Sequence, residues 1–201
     1  DMQASTRMVR LLQGDVGSGK TVIALLAMLN AVGAGEQAAI MAPTEILAQQ
    51  HMATLQPLVA AAGLRAVLLT GSVKGRARSK VLEAIASGEA HIIIGTHALF
   101  QQKVDFKALG CAVIDEQHRF GVEQRIQLSH KGKGVDVLVM TATPIPRSLA
   151  LTFYGDMEVS KLDEKPPGRQ SIQTSKMALK DLDDVIERMR ARVAEQLRPQ
   201  R

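Results

Sequence analysis

Gly14-Asp15-Val16-Gly17-Ser18-Gly19-Lys20-Thr21 is the stretch whose reading decides the fold. It follows the pattern G-x-x-x-x-G-K-[ST] and stands in the context that pattern requires. Residues 8–13 before it read as a strand. Residues 21–32 after it, with Val22, Ile23, Leu25, Leu26 and Leu29, read as a buried helix. The residue types suit one chemistry. Backbone N–H groups of such a loop point inward and form a nest for an anion. Glycines let the backbone come close to a phosphate, and the helix adds the positive end of its dipole. Gly14, Asp15, Val16, Gly17, Ser18, Gly19, Lys20 and Thr21 are therefore the expected nucleotide-binding residues. Lys20 is expected to reach the β- and γ-phosphates of ATP, and the Thr21 hydroxyl to ligate Mg²⁺.

Outward from the loop, apolar runs at 38–41, 65–69, 92–94, 112–115 and 135–140 read as strands. Residues 44–62 and 75–87, and a stretch near 146–154, read as helices. Strand and helix in alternation imply an α/β fold, a doubly wound parallel sheet. Composition agrees: 46% of the 201 residues are hydrophobic but only 2% aromatic, so Ala, Val, Leu and Ile must fill the core. That suits a parallel sheet covered on both faces. Pro166-Pro167-Gly168 then breaks the alternation. The expected organisation is a first domain at 1–165, a linker at 166–170 and the start of a second domain at 171–201. In the last, residues 171–175 alternate like a strand, and Leu182, Val185, Ile186, Met189, Val193 and Leu197 mark one face of a helix. That pair has no further partners here, and the chain opens at Asp1 without a recognisable domain start, so a fragment of a longer protein is expected.

Several classes are excluded. The single cysteine, Cys111, rules out an intramolecular disulfide and a cysteine zinc cluster, and beside Ala112-Val113-Ile114 it reads as a buried, inert thiol. His51, His91, His97 and His130 show no metal-ligand spacing. No apolar stretch approaches the roughly 18 residues of a bilayer span, and no signal peptide is visible, so no membrane partner and a cytoplasmic location are expected. The net charge of +5 suits a polyanionic partner without identifying one.

Ala112-Val113-Ile114-Asp115-Glu116-Gln117-His118 is an apolar strand ending in two carboxylates. In a doubly wound sheet, ligands gather at the carboxyl ends of strands. Asp115 is placed to hold the Mg²⁺ hydration shell, and Glu116 to orient and deprotonate the attacking water. Adjacent strand residues face opposite ways, so the strand must end here for both to serve one site. His118, two residues on, is either a surface or packing residue or a sensor of the nucleotide.

Together with Thr141-Ala142-Thr143, these motifs resemble those of superfamily 2 helicases. Ala42-Pro43-Thr44-Glu45-Ile46-Leu47-Ala48 and Gly95-Thr96-His97-Ala98-Leu99 are similar to that superfamily's strand-contacting motifs. Within it the chain resembles the RecG family: the phosphate loop, Asp115-Glu116-Gln117-His118-Arg119-Phe120-Gly121-Val122, and Thr143-Pro144-Ile145-Pro146-Arg147 leading to Tyr154-Gly155-Asp156 and Pro166-Pro167-Gly168-Arg169. The translocase of transcription-repair coupling factors is the nearest alternative. It typically has Phe where Ser18 stands and a second Glu where Gln117 stands, and it lacks the segment 154–169. Ser148 and Lys165 are mild departures from the RecG pattern. The upstream glutamine segment that reads adenine in many relatives has no match in residues 1–6.

The resemblance implies a motor with two RecA-like lobes, ATP between them, acting on branched or forked DNA. The wedge domain and the second lobe, with the arginine that completes the ATP site, are not in this chain. His118 joins Lys20, Asp115 and Glu116 as catalytic, and Thr44, Thr96 and His97 fall on the DNA face, where hydroxyl donors suit phosphate contact. By residue type alone Thr44 is equally a helix cap. Arg147 reaches either DNA or a neighbouring domain. Thr141, Ala142 and Thr143 are expected to couple hydrolysis to lobe movement by bonding the carboxylate or His118 in one nucleotide state only. Lys74-Gly75-Arg76-Ala77-Arg78-Ser79-Lys80 reads first as the basic face of a solvated helix and second as a phosphate contact. A non-helicase phosphate-loop ATPase would share the loop and the acidic strand end but has no need of the threonine segments. Glu116→Gln in the full-length protein is expected to keep nucleotide binding and lose about 10²–10⁴-fold in turnover. Wild-type turnover in a steady-state assay removes Glu116 from the role of base.

Overall fold

In the computed structural model of the chain, residues 2, 6–101, 103–115, 134–143, 157–164, 174 and 176–196 are described. The chain divides into two compact units, Asp1–Pro166 and Pro167–Arg201.

The first unit is built on a seven-stranded sheet. In chain order the strands are β1 (Val9–Gly14), β2 (Gln37–Met41), β3 (Ala66–Leu69), β4 (Ile92–Gly95), β5 (Leu109–Ile114), β6 (Asp136–Thr141) and β7 (Glu158–Leu162). Their spatial order is β3-β4-β2-β5-β6-β1-β7, and every neighbouring pair is parallel. Parallel pairing needs long crossovers. Helices α1 (Lys20–Gly33), α2 (Glu45–Ala61) and α3 (Gly75–Ser87) provide three of them. The expected doubly wound α/β fold is the one observed.

The core shows why these residues form strands. β4 and β5 are buried along their whole length, as continuous apolar runs in a parallel sheet should be. Successive side chains then go to opposite faces. Leu11, Ala39, Ile93, Ala112 and Ile114 join one cluster, with Ile85 of α3. Leu12, Ile40, Ile92, Ile94, Cys111 and Val113 join the other, with Leu25 and Met28 of α1 and Leu55 and Val59 of α2. Buried Gln37 spends its amide on four backbone partners: Nε2 donates to the carbonyls of Ile85 (3.0 Å) and Ala90 (2.7 Å), and Oε1 accepts from the N–H groups of Lys107 (2.8 Å) and Ala108 (3.2 Å).

Two differences from the sequence reading have local causes. β5 begins at Leu109 rather than 112, and Asp115 lies just beyond it. Gly110 masks the start of the strand; a side chain there would run into Glu36, its Cβ only 1.8 Å from Glu36 Oε2. β7 has no apolar run, because it is an edge strand paired only to β1 and largely exposed. Its alternating Glu158, Ser160 and Leu162 with Lys161 are typical of a protected edge. Arg10 holds it by an ion pair to Glu158 and by donating to Ser160 Oγ at 2.6 Å.

In the second unit a short 3₁₀ turn, Leu179–Asp181, leads into α4 (Leu182–Gln196). Asp183 and Asp184 sit in its first turn, where negative charge is favoured. The expected apolar face is present, and Leu182, Ile186, Met189 and Val193 on it are exposed. The helix near 146–154, the Pro166-Pro167-Gly168 break, most of the 171–175 strand, Leu197, Ser148 and Lys165 lie outside the described residues.

Gly95 closes β4 where there is no room for a side chain: an added Cβ would stand 2.1 Å from the Leu69 carbonyl oxygen and 2.9 Å from Leu99 Cδ2. Gly95→Ala is expected to destabilise the domain by about 1–3 kcal/mol. Gly33→Ala, at a helix end with open space around it, is expected to be neutral or slightly stabilising. Urea unfolding of both variants checks the contrast, and equal midpoints would remove the steric account.

Candidate nucleotide site and adjoining groove

Every strand of this sheet ends on the same edge, and the chemistry-bearing residues stand there. Gly14 ends β1, Thr141 ends β6 and Asp115 follows β5, in neighbouring positions of the sheet. With strands about 4.8 Å apart, Thr141-Ala142-Thr143 fills the interval of roughly 10 Å between the phosphate loop and the acidic strand end.

The loop has the backbone its sequence demands. Gly17 and Gly19 take φ of 79° and 93°, the left-handed region that favours glycine. Ser18 N donates to the Asp15 carbonyl at 3.1 Å and closes the turn. Asp15 Oδ1 accepts from Val16 N at 2.8 Å. Lys20 Nζ lies across the loop, donating to the carbonyls of Gly14 (2.6 Å) and Asp15 (2.8 Å). α1 starts at Lys20 with Gly19 as its N-cap, so no side chain caps its first-turn amides. A Cβ on Gly14 would meet Ser18 Oγ at 2.5 Å and Leu162 Cβ at 2.9 Å. Ser18 Oγ itself is buried with no hydrogen-bond partner among the described residues.

These features fit a nucleoside triphosphate. A loop packed so closely at Gly14 that no side chain fits, an orphaned buried hydroxyl, an ammonium and a helix start without a side-chain cap form a donor set for phosphate oxygens. Among the described residues, Thr21 and Asp115 could hold Mg²⁺ through their side-chain oxygens. No group of three or more His, Cys, Asp or Glu among the described residues could hold a metal. ATP bound here would supply the phosphoanhydride, and Mg²⁺ would neutralise its charge.

Among the described residues Asp115 has two partners. Its N–H donates to the Met41 carbonyl at 2.9 Å, and its Oδ2 is 2.6 Å from His51 Nε2 on α2. Both side chains are only 12% exposed. Sequence reasoning gave His51 no role. A signal existed: His51 falls in the series Ala48, His51, Leu55, Val59, whose apolar members are buried. The residue thus shares the buried face of its helix.

Thr141 is buried, and its Oγ1 accepts from Thr143 N at 3.1 Å, a local turn rather than a bond to Asp115. Gln13, the residue before the phosphate loop, donates from Nε2 to the Thr143 carbonyl at 3.2 Å. This tie between β1 and the segment 141–143 was also missed from sequence.

Thr44, Thr96 and His97 line one groove of about 490 Å³, together with Lys74 and Arg78. Thr44 is exposed and caps α2, its Oγ1 accepting from Leu47 N at 3.3 Å. The capping reading therefore holds in the structure, and the same residue lines the groove. Thr96 is buried and His97 exposed. Of the four basic residues at 74–80, Lys74 and Arg78 border the groove, while Arg76 and Lys80 are exposed elsewhere on the helix. Glu116, His118 and Arg147 lie outside the described residues. Cys111 is buried as expected; burial first, then the charges of Asp136 and Glu36, push its thiol up to about 12.

A phosphate loop on a doubly wound parallel sheet, with a carboxylate at the end of the second strand over, defines a RecA-like nucleotide-binding domain. The chain belongs to the DEAD/DEAH box helicase family, whose sequence model matches residues 3–152. It is 57% identical over 186 residues to ATP-dependent DNA helicase RecG of Streptococcus pneumoniae, covering 92% of this chain and 27% of that protein. It is 56% identical over 174 residues to RecG of Bacillus subtilis, covering 87% and 26%. A solved structure of RecG bound to a three-way DNA junction matches with a TM-score of 0.84 and 46% identity, over 97% of this chain and 26% of that one. The resemblance to RecG is thereby borne out, and the chain spans about a quarter of the length of these relatives.

Gly14→Ala is expected to distort the loop against Ser18 and weaken binding of a fluorescent ATP analogue at least about tenfold, a loss of ~1.4 kcal/mol. Circular dichroism should stay unchanged. Unaltered affinity would show that the cradle is not where phosphate sits.

Proposed function

We propose that this chain is the ATP-binding half of a double-stranded DNA translocase that remodels stalled replication forks and branched recombination intermediates. The observation that carries the reading is the sharing of one sheet edge. The phosphate loop and Asp115 stand at the ends of β1 and β5, and the groove of Thr44, Thr96, His97, Lys74 and Arg78 opens beside the ends of β2, β3 and β4. The lining carries hydroxyls, a histidine and two cations beside Glu45, and contacts of such donors to phosphate grip DNA without reading sequence.

Lys20 and the loop amides hold the β- and γ-phosphates; Thr21 and Asp115 hold Mg²⁺; Glu116 deprotonates the attacking water, with His118 beside it. Thr141, Ala142 and Thr143 transmit the nucleotide state, and Arg147 adds to the DNA face. The domain at 1–165 is joined through the linker at 166–170 to a second lobe that starts at 171–201. That lobe and a wedge domain belong to the rest of the protein. No helix among the described residues is long and apolar enough to cross a membrane, and a cytoplasmic protein fits. RecG is favoured over a transcription-repair translocase by Ser18, Gln117 and the segment 154–169, and by the relatives matched. It is favoured over a non-helicase ATPase by the groove.

The test is ATP turnover of the full-length protein on forked, Holliday-type and single-stranded DNA, with Lys20→Ala as the variant. Branched DNA should stimulate turnover, and the variant should lose unwinding while retaining most junction binding. This chain alone should turn over slowly and should not unwind DNA, since an arginine supplied by a partner contributes about 10³–10⁵-fold in related phosphoryl transfers. Turnover of the full-length protein that ignores every DNA would leave a generic ATPase.

A further inference from the structure

The structure ties the Mg²⁺-side carboxylate to the wall of the groove. Asp115 stands past the end of β5, and its Oδ2 is engaged by His51 Nε2 at 2.6 Å. A carboxylate offers about four lone-pair positions on two oxygens. A bond to Oδ2 therefore restrains the rotamer and leaves acceptor capacity on Oδ1. Partners of this kind, bonded to a metal ligand rather than to the metal, set its orientation. With both side chains 12% exposed, water competes little for the bond.

His51 does not ride on the strand it serves. It belongs to α2, whose N-cap Thr44 lines the groove with Pro43 and Glu45. Seven residues separate Thr44 from His51, two helical turns, so the two lie on nearly the same side of α2 about 10 Å apart. The backbone makes the same link by a shorter route. Asp115 N donates to Met41 O at 2.9 Å, and Ala42 N donates to Gly95 O at 2.8 Å, next to Thr96. The connection from β2 to α2 is thus bonded to both strand ends that flank it: that of β4, which leads into the groove, and that of β5, which carries Asp115. A displacement of α2 by a DNA phosphate at Thr44 moves the group that holds Oδ2.

We infer that His51 is a positioning residue that couples occupancy of the groove to the geometry of Asp115, so that DNA binding tunes Mg²⁺-dependent nucleotide binding and turnover. The inference rests on the DNA-motor reading above and deepens it.

The experiment uses the full-length protein with His51→Leu, which keeps apolar bulk and removes the ring nitrogen, and His51→Gln, whose amide can reach a similar position. Three quantities are measured: the ratio of turnover with and without forked DNA, the Mg²⁺ concentration for half-maximal binding of a fluorescent ATP analogue, and forked-DNA affinity by anisotropy. His51→Leu should reduce the stimulation ratio and raise the Mg²⁺ requirement, each by about 10–100-fold, the range found when such partners of metal ligands are removed. DNA affinity should stay within about twofold of wild type, and His51→Gln should restore much of both losses. A His51→Leu protein with the wild-type ratio and Mg²⁺ dependence overturns the inference. So does equal impairment of both variants with a lowered melting temperature, which would make His51 a packing residue. A wild-type protein whose turnover ignores forked DNA overturns the functional reading and the coupling with it. A stimulated wild type beside an unaffected His51→Leu overturns the coupling alone.

Discussion

A parallel sheet with both faces covered can place polar chemistry only where its strands stop. Within the layers of Ile92-Ile93-Ile94 and Ala112-Val113-Ile114, every side chain is committed to one of two apolar clusters and every backbone group to a ladder. An unpaired charge there would cost several kcal/mol. Because all seven strands point the same way, their carboxyl ends form one line, and the chain must turn there to begin its crossovers. The positions of the phosphate loop, the acidic end, the segment 141–143 and the groove are consequences of that single geometric fact.

The line also explains how separate segments act as one site. Adjacent strand ends are within hydrogen-bonding reach of their neighbours' loops, and the observed bonds run along the edge: Gln13 to Thr143, Asp115 to Met41 and His51, Ala42 to Gly95. None of these pairs is close in sequence. Three of them join one strand end to the next across the sheet order, and the bond to His51 joins a strand end to α2.

What was legible in the sequence follows from the same physics. The phosphate loop announces itself because glycine spacing, Lys20 and Thr21 all lie within eight residues, and the central strands because burial on both faces makes them uninterrupted apolar runs. β7 was not legible: it is a largely exposed edge strand, and Glu158-Val159-Ser160-Lys161-Leu162 contains no apolar run. The start of β5 was hidden by Gly110. His51 and Gln13 were missed because their partners lie 64 and 130 residues away. The basic stretch at 74–80 was half legible. Its helix is solvated, yet Lys74 and Arg78, one turn apart, border the groove, a division that periodicity suggests only once the groove's position is known. Glu116, His118 and Arg147 fall outside the described residues, so their roles rest on the motif.

The buried thiol bears on how such a site can be observed. A group pushed up to about 12 is ionised in only about one molecule in ten thousand at pH 8, and the thiolate is the form that reacts. Cys111 is moreover enclosed in the cluster packed by α1 and α2. As the single cysteine of the chain it is chemically silent while the sheet is intact. A cysteine introduced on the groove rim would therefore take a fluorophore or spin label without removal of the native one, and reports from it would come from that position alone.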